Sequence, residues 1–469
     1  MSETLNADLC IIGAGSGGLS VAAGAAQLGR KVVLIEKGEM GGDCLNTGCV
    51  PSKALIAAAA RAEAIRTAAP FGVNAAAPEI DFNAVMDHVH DVIAEIAPID
   101  SQERFEGLGV AVLREHASFA GPRQVTAGGR TVSAKHFVIA TGSSPAIPAI
   151  EGLSAVPFFT NETLFENRTL PGHLIVLGGG PGGVEMAQTF RRLGSRVTLI
   201  ERDTILNRDD PELVDIIRNR LLDEGVAVLE NRETVKVEKI DGGVSVSTGG
   251  ETLTGSHLFV ATGRKPNLDG LNLEAAGVAF TDQGVKVDRR LRTTNKRIYA
   301  IGDSIGGRQF THVAGYHASI AIRNILFKMP AANRDDLAPG VVYADPELAH
   351  VGLTEAQARE QGDVRITRWP FRENDRARAE RNAEGLIKVV TNNRGRILGV
   401  SIAGHGAGDL IQPWSQALAE GRKIKSFTGY IAPYPTRGEI AKRVAGEWFA
   451  PVLFSKRTKM LISFLSTFD

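Results

Sequence analysis

Short unbroken apolar runs, each closed by glycine or by an acid, punctuate the chain. DLCIIGAG, KVVLIEKG, FVIATG, HLIVLGGG, RVTLIERD, FVATG and RIYAIGD all have this form. Runs of this length, bounded by turn residues, predict short strands buried in a core. Between them lie stretches of helical length, such as the alanine-rich ALIAAAARAEAIRTA that follows Lys53. Strands alternating with helices point to an α/β protein.

Two of these strand–helix–strand segments repeat at an offset of 165, from Asp8 to His173. The first is DLCIIGAGSGGLSVAAGAAQLGRKVVLIEKG and the second HLIVLGGGPGGVEMAQTFRRLGSRVTLIERD. Each predicts a buried strand, a G-x-G-x-x-G turn, a helix ending in Leu-Gly, and a strand ending in glutamate. The glycines are Gly13, Gly15 and Gly18 in one copy, Gly178, Gly180 and Gly183 in the other. The first glycine permits the turn, the second admits a pyrophosphate to the backbone, and the third lets helix and strand pack closely. The helix N-terminus favours the phosphates, and the terminal acids, Glu36 and Glu201, suit ribose hydroxyls. One such turn is weak evidence. Two, each correctly placed between strand and helix, predict two dinucleotide sites. A second echo, Ala-Thr-Gly at Thr141–Gly142 and again at Thr262–Gly263, would close each nucleotide half, and Asp303 ends a further strand in RIYAIGD.

Composition narrows the partners. At roughly 150 residues per domain, 469 residues suggest about three domains. Basic and acidic residues balance at 53 each, so no net field draws nucleic acid, which is not expected as a partner. The N-terminus runs straight into a strand with no basic, apolar leader, and no apolar run is long enough to span a membrane. A cytoplasmic protein is expected.

Only three cysteines occur, and two share GGDCLNTGCVPSK: Cys44 and Cys49. A zinc site would want four ligands, and no further cysteine or close histidine pair joins them. Inert core thiols are the other ordinary reading, and it suits Cys10, inside the first strand. A regular helix would hold positions i and i+5 about 8–9 Å apart, beyond disulfide reach. Asn46 and Gly48 allow a different path, and Pro51 suits the first turn of the helix that follows. Cys49 would then sit near a helix N-terminus, where a thiolate is favoured. A redox-active pair beside the first nucleotide site is the stronger reading.

The combination resembles the pyridine nucleotide-disulfide oxidoreductases, the family that includes dihydrolipoamide dehydrogenase, glutathione reductase and mercuric reductase. The paired nucleotide units, the C-x4-C motif, YAIGD, and YADPELAHVGLTEAQA from Tyr343 occur in the family's order over essentially the whole chain. The resemblance implies two Rossmann-like domains, for FAD and NAD(P), and a C-terminal α+β dimerisation domain. The boundaries expected are 1–150 and 271–340 for FAD, 151–270 for NAD(P), and 341–469 for the interface of a homodimer. It also implies a Cys44–Cys49 disulfide, with Cys49 facing the flavin and Cys44 meeting the acceptor. Lys53 and Glu185 would form an ion pair near the flavin. Glu36, Lys37, Gly42, Thr141, Gly142, Asp303 and His312 join the FAD set. Glu201, Arg202 and Gly263 join the second nucleotide's set. Glu201 favours NADH because a carboxylate repels a 2′-phosphate; Arg202 offers the alternative, NADPH.

Where many members carry His-Pro-x-x-x-x-Glu, this chain reads APYPTRGE: Tyr434 takes the histidine's place, and Glu439 is retained. Tyrosine, with a pKa near 10, is a poor proton shuttle at neutral pH. Mercuric reductases also carry tyrosine there, but this chain ends in MLISFLSTFD, without their terminal cysteine pair. The leading expectation is therefore a mercuric reductase-like enzyme passing electrons from NADH to a metal ion or small oxidant. Turnover of a small disulfide or dithiol, and a redox-sensing flavoprotein, are the alternatives. The charged run FRENDRARAERN is expected to be a solvated loop. The apolar tail from Glu447 is expected to pack on a partner subunit, with a membrane surface as the alternative.

Overall fold

The computed structural model describes residues 3–468. Contacts divide the chain into two compact units. The first comprises residues 1–179, 189–202 and 232–335, and the second 180–188, 203–231 and 336–469.

In the first unit, the opening strand, Thr4–Ile12, lies between Val32–Ile35 and Arg130–Ile139, parallel to both. Ala111–Leu113 extends the sheet on one side and Ile298–Ala300 adds to Arg130–Ile139, again in parallel. A small antiparallel meander, Ala117–Gly121 and Gln124–Ala127, completes it. Alternate residues of the apolar runs serve two cores. Leu9, Ile11, Leu34 and Val138 pack against helices Ser16–Gln27 and Thr311–Ile325. Cys10, Ile12, Val33, Ile35, Phe137 and Ile139 pack against Phe119 and Val125 of the meander. Burial on both faces is why these strands read as continuous apolar runs rather than as alternation. Cys10 is fully enclosed, and burial pushes its thiol pKa well above the usual range.

The second repeat builds a parallel sheet in which His173–Leu177 lies between Arg196–Ile200 and His257–Val260. An antiparallel three-stranded sheet, Thr234–Ile240, Gly243–Thr248 and Thr252–Gly255, is inserted in sequence before its strand His257–Val260. The two Ala-Thr-Gly loops are joined beyond their glycines. Ser143–Pro145 pairs antiparallel with Arg264–Pro266.

The second unit centres on a five-stranded antiparallel sheet. Its order is Gly340–Val342, Glu347–Gly352, Ile397–Gly404, Leu386–Asn392 and Val364–Pro370. Trp414, stacked on Phe427 at 3.9 Å between ring centroids, fills its core with Phe371, Ile387, Val400 and Ile402. The α/β class and the separate C-terminal α+β layer are as the sequence predicts.

A buried ion cluster ties this unit together. Lys388 Nζ lies 2.9 Å from Asp210, 2.9 Å from Glu212 and 2.7 Å from Glu355. Asp210 also caps the helix Pro211–Asp223 by accepting from the Glu212 amide. Burial works against the ammonium, but the three carboxylates outweigh it and hold its pKa above the usual value. Removing the cation would leave the buried Asp210 carboxylate without its charge partner. Lys388→Met is therefore expected to lower unfolding free energy by about 2–3 kcal/mol, with the partly exposed glutamates softening the loss. Urea denaturation at neutral pH reads this directly, and an unchanged midpoint would show the cluster to be neutral.

The charged run is not a solvated loop. Phe371 is fully buried, and Asn374 caps a short helix, Asp375–Ala379, while donating to the Thr436 carbonyl at 3.0 Å. Arg376 and Arg437 both pair with Glu380. One buried aromatic inside a charged stretch is enough to fix it. In the tail, helix Ile440–Leu453 buries Ile440, Ala441, Val444 and Ala445. Beyond Ala445 no described residue is buried. Among the described residues, no helix is long and apolar enough to cross a membrane.

Candidate active site

The two glycine turns are built alike at their first two glycines. Gly13 has φ +106°, and a Cβ there would fall 2.3 Å from the Ala140 carbonyl oxygen. Gly178 has φ +107°, and its Cβ would fall 2.4 Å from the Ala261 carbonyl oxygen. Neither position accepts a side chain. At Gly18 the added Cβ would meet the Gly13 carbonyl oxygen at 1.9 Å, the close helix–strand approach expected of the third glycine. Gly15 and Gly180 are different: a Cβ on either meets nothing within 4 Å. That open space lies where the first-turn amides of a helix can receive an anion. The helix after Gly15 has no side-chain cap and no acid in its first turn. Gly183 falls within the helix Pro181–Leu193.

The acids are equally matched. Glu36 accepts from the Ala14 amide at 2.5 Å and from Gly38 at 2.7 Å. Glu201 accepts from the Gly179 amide at 2.6 Å. Each carboxylate is thus fixed at the mouth of its own turn, and the residues fit a dinucleotide at both. Lys37 and Arg202, one residue further on, are exposed. Thr141 donates to the Asn267 carbonyl at 2.7 Å and Thr262 to Ala146 at 2.9 Å. Gly142 and Gly263 both have positive φ.

The cysteine loop rests on the first turn. Gly41 donates to the Ala14 carbonyl at 3.0 Å, and a Cβ on Gly42 would lie 2.8 Å from the Gly15 Cα. Cys44 sits in a five-residue helix, Gly42–Asn46, braced by Asn46 bonds to the Met40 and Gly42 carbonyls. The chain breaks at Thr47–Gly48, and Cys49 opens the helix Cys49–Arg66. Both thiols are free, and this break, not a continuous helix, lets them act on each other's acidity. Their acidities are pulled apart. The hydrogen bond from Cys44, then that from Thr311 and the charge of Lys53, lower the Cys49 pKa to about 6 against the effect of burial. The Thr311 hydroxyl lies 3.3 Å from Cys49 Sγ. Cys44, donor in that pair and partly buried, is held far above the ordinary thiol range. The helix N-terminus at Cys49 favours its thiolate further. Cys44 also lines a cleft of about 350 Å³ with Ser16, Ile96, Asp100 and Arg104.

A chain of polar contacts runs from this loop to Asp303, and sequence reasoning missed most of it. Asp43 Oδ1 accepts from Asn161 at 2.8 Å and Thr47 at 3.0 Å, and lies 3.2 Å from Arg264 Nη2. Arg264 Nε donates to the Ser143 hydroxyl at 2.8 Å, and Ser143 donates to Asp303 at 2.6 Å. Burial pushes the Asp303 carboxyl pKa up, with the Ser143 hydrogen bond opposing it. The one available signal was Arg264 itself, directly after the second Thr-Gly. Below Asp303, the buried His317 accepts from the Gly302 amide on Nδ1 and donates from Nε2 to Asp335 at 2.8 Å. His312 stacks on Phe310 at 5.1 Å.

Lys53 belongs to the first unit, and the buried Glu185 to the second, where it accepts from the Tyr343 amide at 3.0 Å. Tyr434 is 66% exposed and donates to Asp375 at 2.9 Å. That hydrogen bond to a carboxylate raises the phenol pKa still further. Glu439 is paired with Arg443 at 2.7 Å.

Residues 7–318 match the family model described as pyridine nucleotide-disulphide oxidoreductase. Residues 338–445 match the dimerisation domain of the same description. A mercuric reductase of Streptomyces lividans is 37% identical over 452 residues, covering 93% of this chain and 95% of that protein. A dihydrolipoyl dehydrogenase of Thermus scotoductus is 38% identical over 447 residues, covering 92% and 95%. Among solved structures, the Cu(II) complex of the HOCl-induced flavoprotein disulfide reductase RclA from Escherichia coli superposes with a TM-score of 0.84. It is 29% identical, over 93% of this chain and 99% of that one.

Proposed function

The chain belongs to the pyridine nucleotide-disulphide oxidoreductases, enzymes that use FAD and NAD(P)H, and on that premise we propose that it reduces a thiol-binding metal ion or small oxidant with electrons from NADH. In this reading FAD sits on the turn of Gly13, Gly15 and Gly18, and NADH on that of Gly178, Gly180 and Gly183. FAD, when bound, supplies a ring that takes hydride from the nicotinamide and passes an electron pair to the Cys44–Cys49 disulfide. Taking up that pair and one proton leaves Cys44 as a thiol and Cys49 as a thiolate, the arrangement their opposed acidities favour. The acceptor then receives the pair at Cys44, the disulfide re-forms, and the Cys44 proton is released. Lys53, whose charge lowers the Cys49 pKa, holds that thiolate, in a homodimer whose setting is cytoplasmic.

The observation that carries the acceptor class is Tyr434. A disulfide substrate needs a base that takes and returns protons, and a phenol donating to Asp375 with a raised pKa is no such base. A metal ion bound by thiolates needs none. A named mercuric reductase and a Cu(II)-bound relative support the same class. Glu201, fixed by the Gly179 amide, supports NADH over NADPH, since a 2′-phosphate would meet its charge.

Identity to a dihydrolipoyl dehydrogenase favours a second reading, turnover of a small dithiol or disulfide. Stopped-flow with NADH-reduced enzyme and parallel additions of lipoamide, cupric ion, mercuric ion and a quinone separates the two. Rapid reoxidation by the metal ions and slow reoxidation by lipoamide are expected. Tyr434→His should raise lipoamide turnover at least tenfold, as a neutral-pH proton shuttle does. Lipoamide outpacing both metal ions in the unaltered enzyme would overturn the metal reading.

A further inference from the structure

The last seventeen described residues, 452–468, expose nine large apolar side chains. Val452, Leu453, Phe454, Met460, Leu461, Ile462, Phe464, Leu465 and Phe468 are each between 52% and 75% exposed. Isolated exposed apolar residues are ordinary; a contiguous set of this size marks a contact surface. The set lies outside the matched dimerisation domain, which ends at residue 445, where burial in this helix also stops.

The helix Lys456–Leu465, capped by Ser455, is two-sided. Met460, Phe464 and Phe468 recur every four residues, with Leu461 and Leu465 beside them, and Phe464 meets Phe468 edge-on at 5.3 Å between centroids. Lys456, Lys459 and Ser463 recur on the other side, while Arg457, at the helix start, heads the row of Leu461 and Leu465. From Trp448 to Phe468 the charged residues are Lys456, Arg457 and Lys459, all cationic. A dry protein interface selects against lysine at its centre. A lipid surface asks for the opposite combination: apolar residues for the acyl boundary, and cations for anionic headgroups. At ten residues, the helix can lie in that boundary but not span it.

We propose that residues 452–468 form an interfacial helix that docks this oxidoreductase on an anionic lipid surface. The consequence is a peripheral enzyme, held near oxidants that partition into the bilayer.

Flotation of the FAD-loaded full chain with vesicles tests this. Binding is expected to vesicles of equimolar phosphatidylcholine and phosphatidylglycerol, to weaken with added salt, and to be lost on pure phosphatidylcholine. Neutralising Lys456, Arg457 and Lys459 to glutamine should weaken it roughly a hundredfold, each cation contributing about fivefold. Leu461→Glu with Phe464→Glu should abolish it while leaving NADH oxidation with a dye acceptor unchanged; the exposure of both residues lets that variant fold. Light scattering reports the oligomeric state of the same variant. No binding to the mixed vesicles, or dissociation of the oligomer by the double variant, would assign the face to a second copy instead and overturn the proposal.

Discussion

Serine in place of Cys49 is expected to give a folded, FAD-containing protein whose acceptor reduction falls on the order of a thousandfold or more. The same variant should lack, when two-electron reduced, the long-wavelength absorbance of a thiolate stacked on flavin. The effect is large because the thiolate has no substitute: Cys44 is the donor in the pair and is held protonated, and Cys10 is enclosed in the core. The pH dependence sharpens the test. Since the Cys49 pKa is lowered to about 6, the thiolate should dominate at neutral pH and be lost as pH falls through 6. The absorbance band of the unaltered, reduced enzyme should therefore fade with a midpoint near 6. An unperturbed thiol would give a midpoint above 8. A band that survives in Cys49→Ser, or that titrates above 8, would break the assignment of Cys49 as the flavin-side thiolate.

Alanine at Gly13 and alanine at Gly15 should fail in different ways. At Gly13 the added methyl must enter a carbonyl oxygen 2.3 Å away while the backbone holds φ +106°. Overpacking and positive-φ strain each cost about 1–3 kcal/mol, so a loss of about 3 kcal/mol or more is expected. Gly13→Ala should show a lowered melting temperature even when purified with excess FAD. At Gly15 the methyl meets nothing within 4 Å, so the apoprotein should melt as before. What it loses is the room a pyrophosphate needs beside the backbone, and FAD retention should drop by at least tenfold. Thermal melts of apo and FAD-loaded forms separate the two effects. Equal apo stabilities for the two variants would contradict the geometry of the turn.

The parts of this molecule that sequence made legible are the local ones. Both nucleotide turns declare themselves because three glycines, a strand and an acid all lie within some thirty residues, and the repeat doubles the signal. Buried strands such as Thr4–Ile12 announce themselves because both their faces are covered. The cysteine pair was readable from its glycines and from the helix that follows. What stayed hidden depends on residues far apart in the chain. Asp43 meets Asn161 and Arg264, and Asp303 meets Ser143, across separations that leave no periodic trace. Tyr434 could be recognised as an unusual residue, but its grip on Asp375 could not. The charged segment around Arg376 was misread because charge density hid the one aromatic, Phe371, that anchors it.

The seating of the cysteine loop on the phosphate turn has a consequence for how such an enzyme can change. Gly41 and Gly42 meet Ala14 and Gly15 through backbone atoms alone. The spacing between the phosphate turn and the dithiol is therefore set by peptide geometry, which no rotamer can adjust. Ile96, Asp100 and Arg104 in the neighbouring cleft lie outside both of these loops. On the reading proposed above, the walls that meet an acceptor can be rewritten one residue at a time while the electron path keeps its length, so a new substrate can be acquired without re-evolving the means of reducing it.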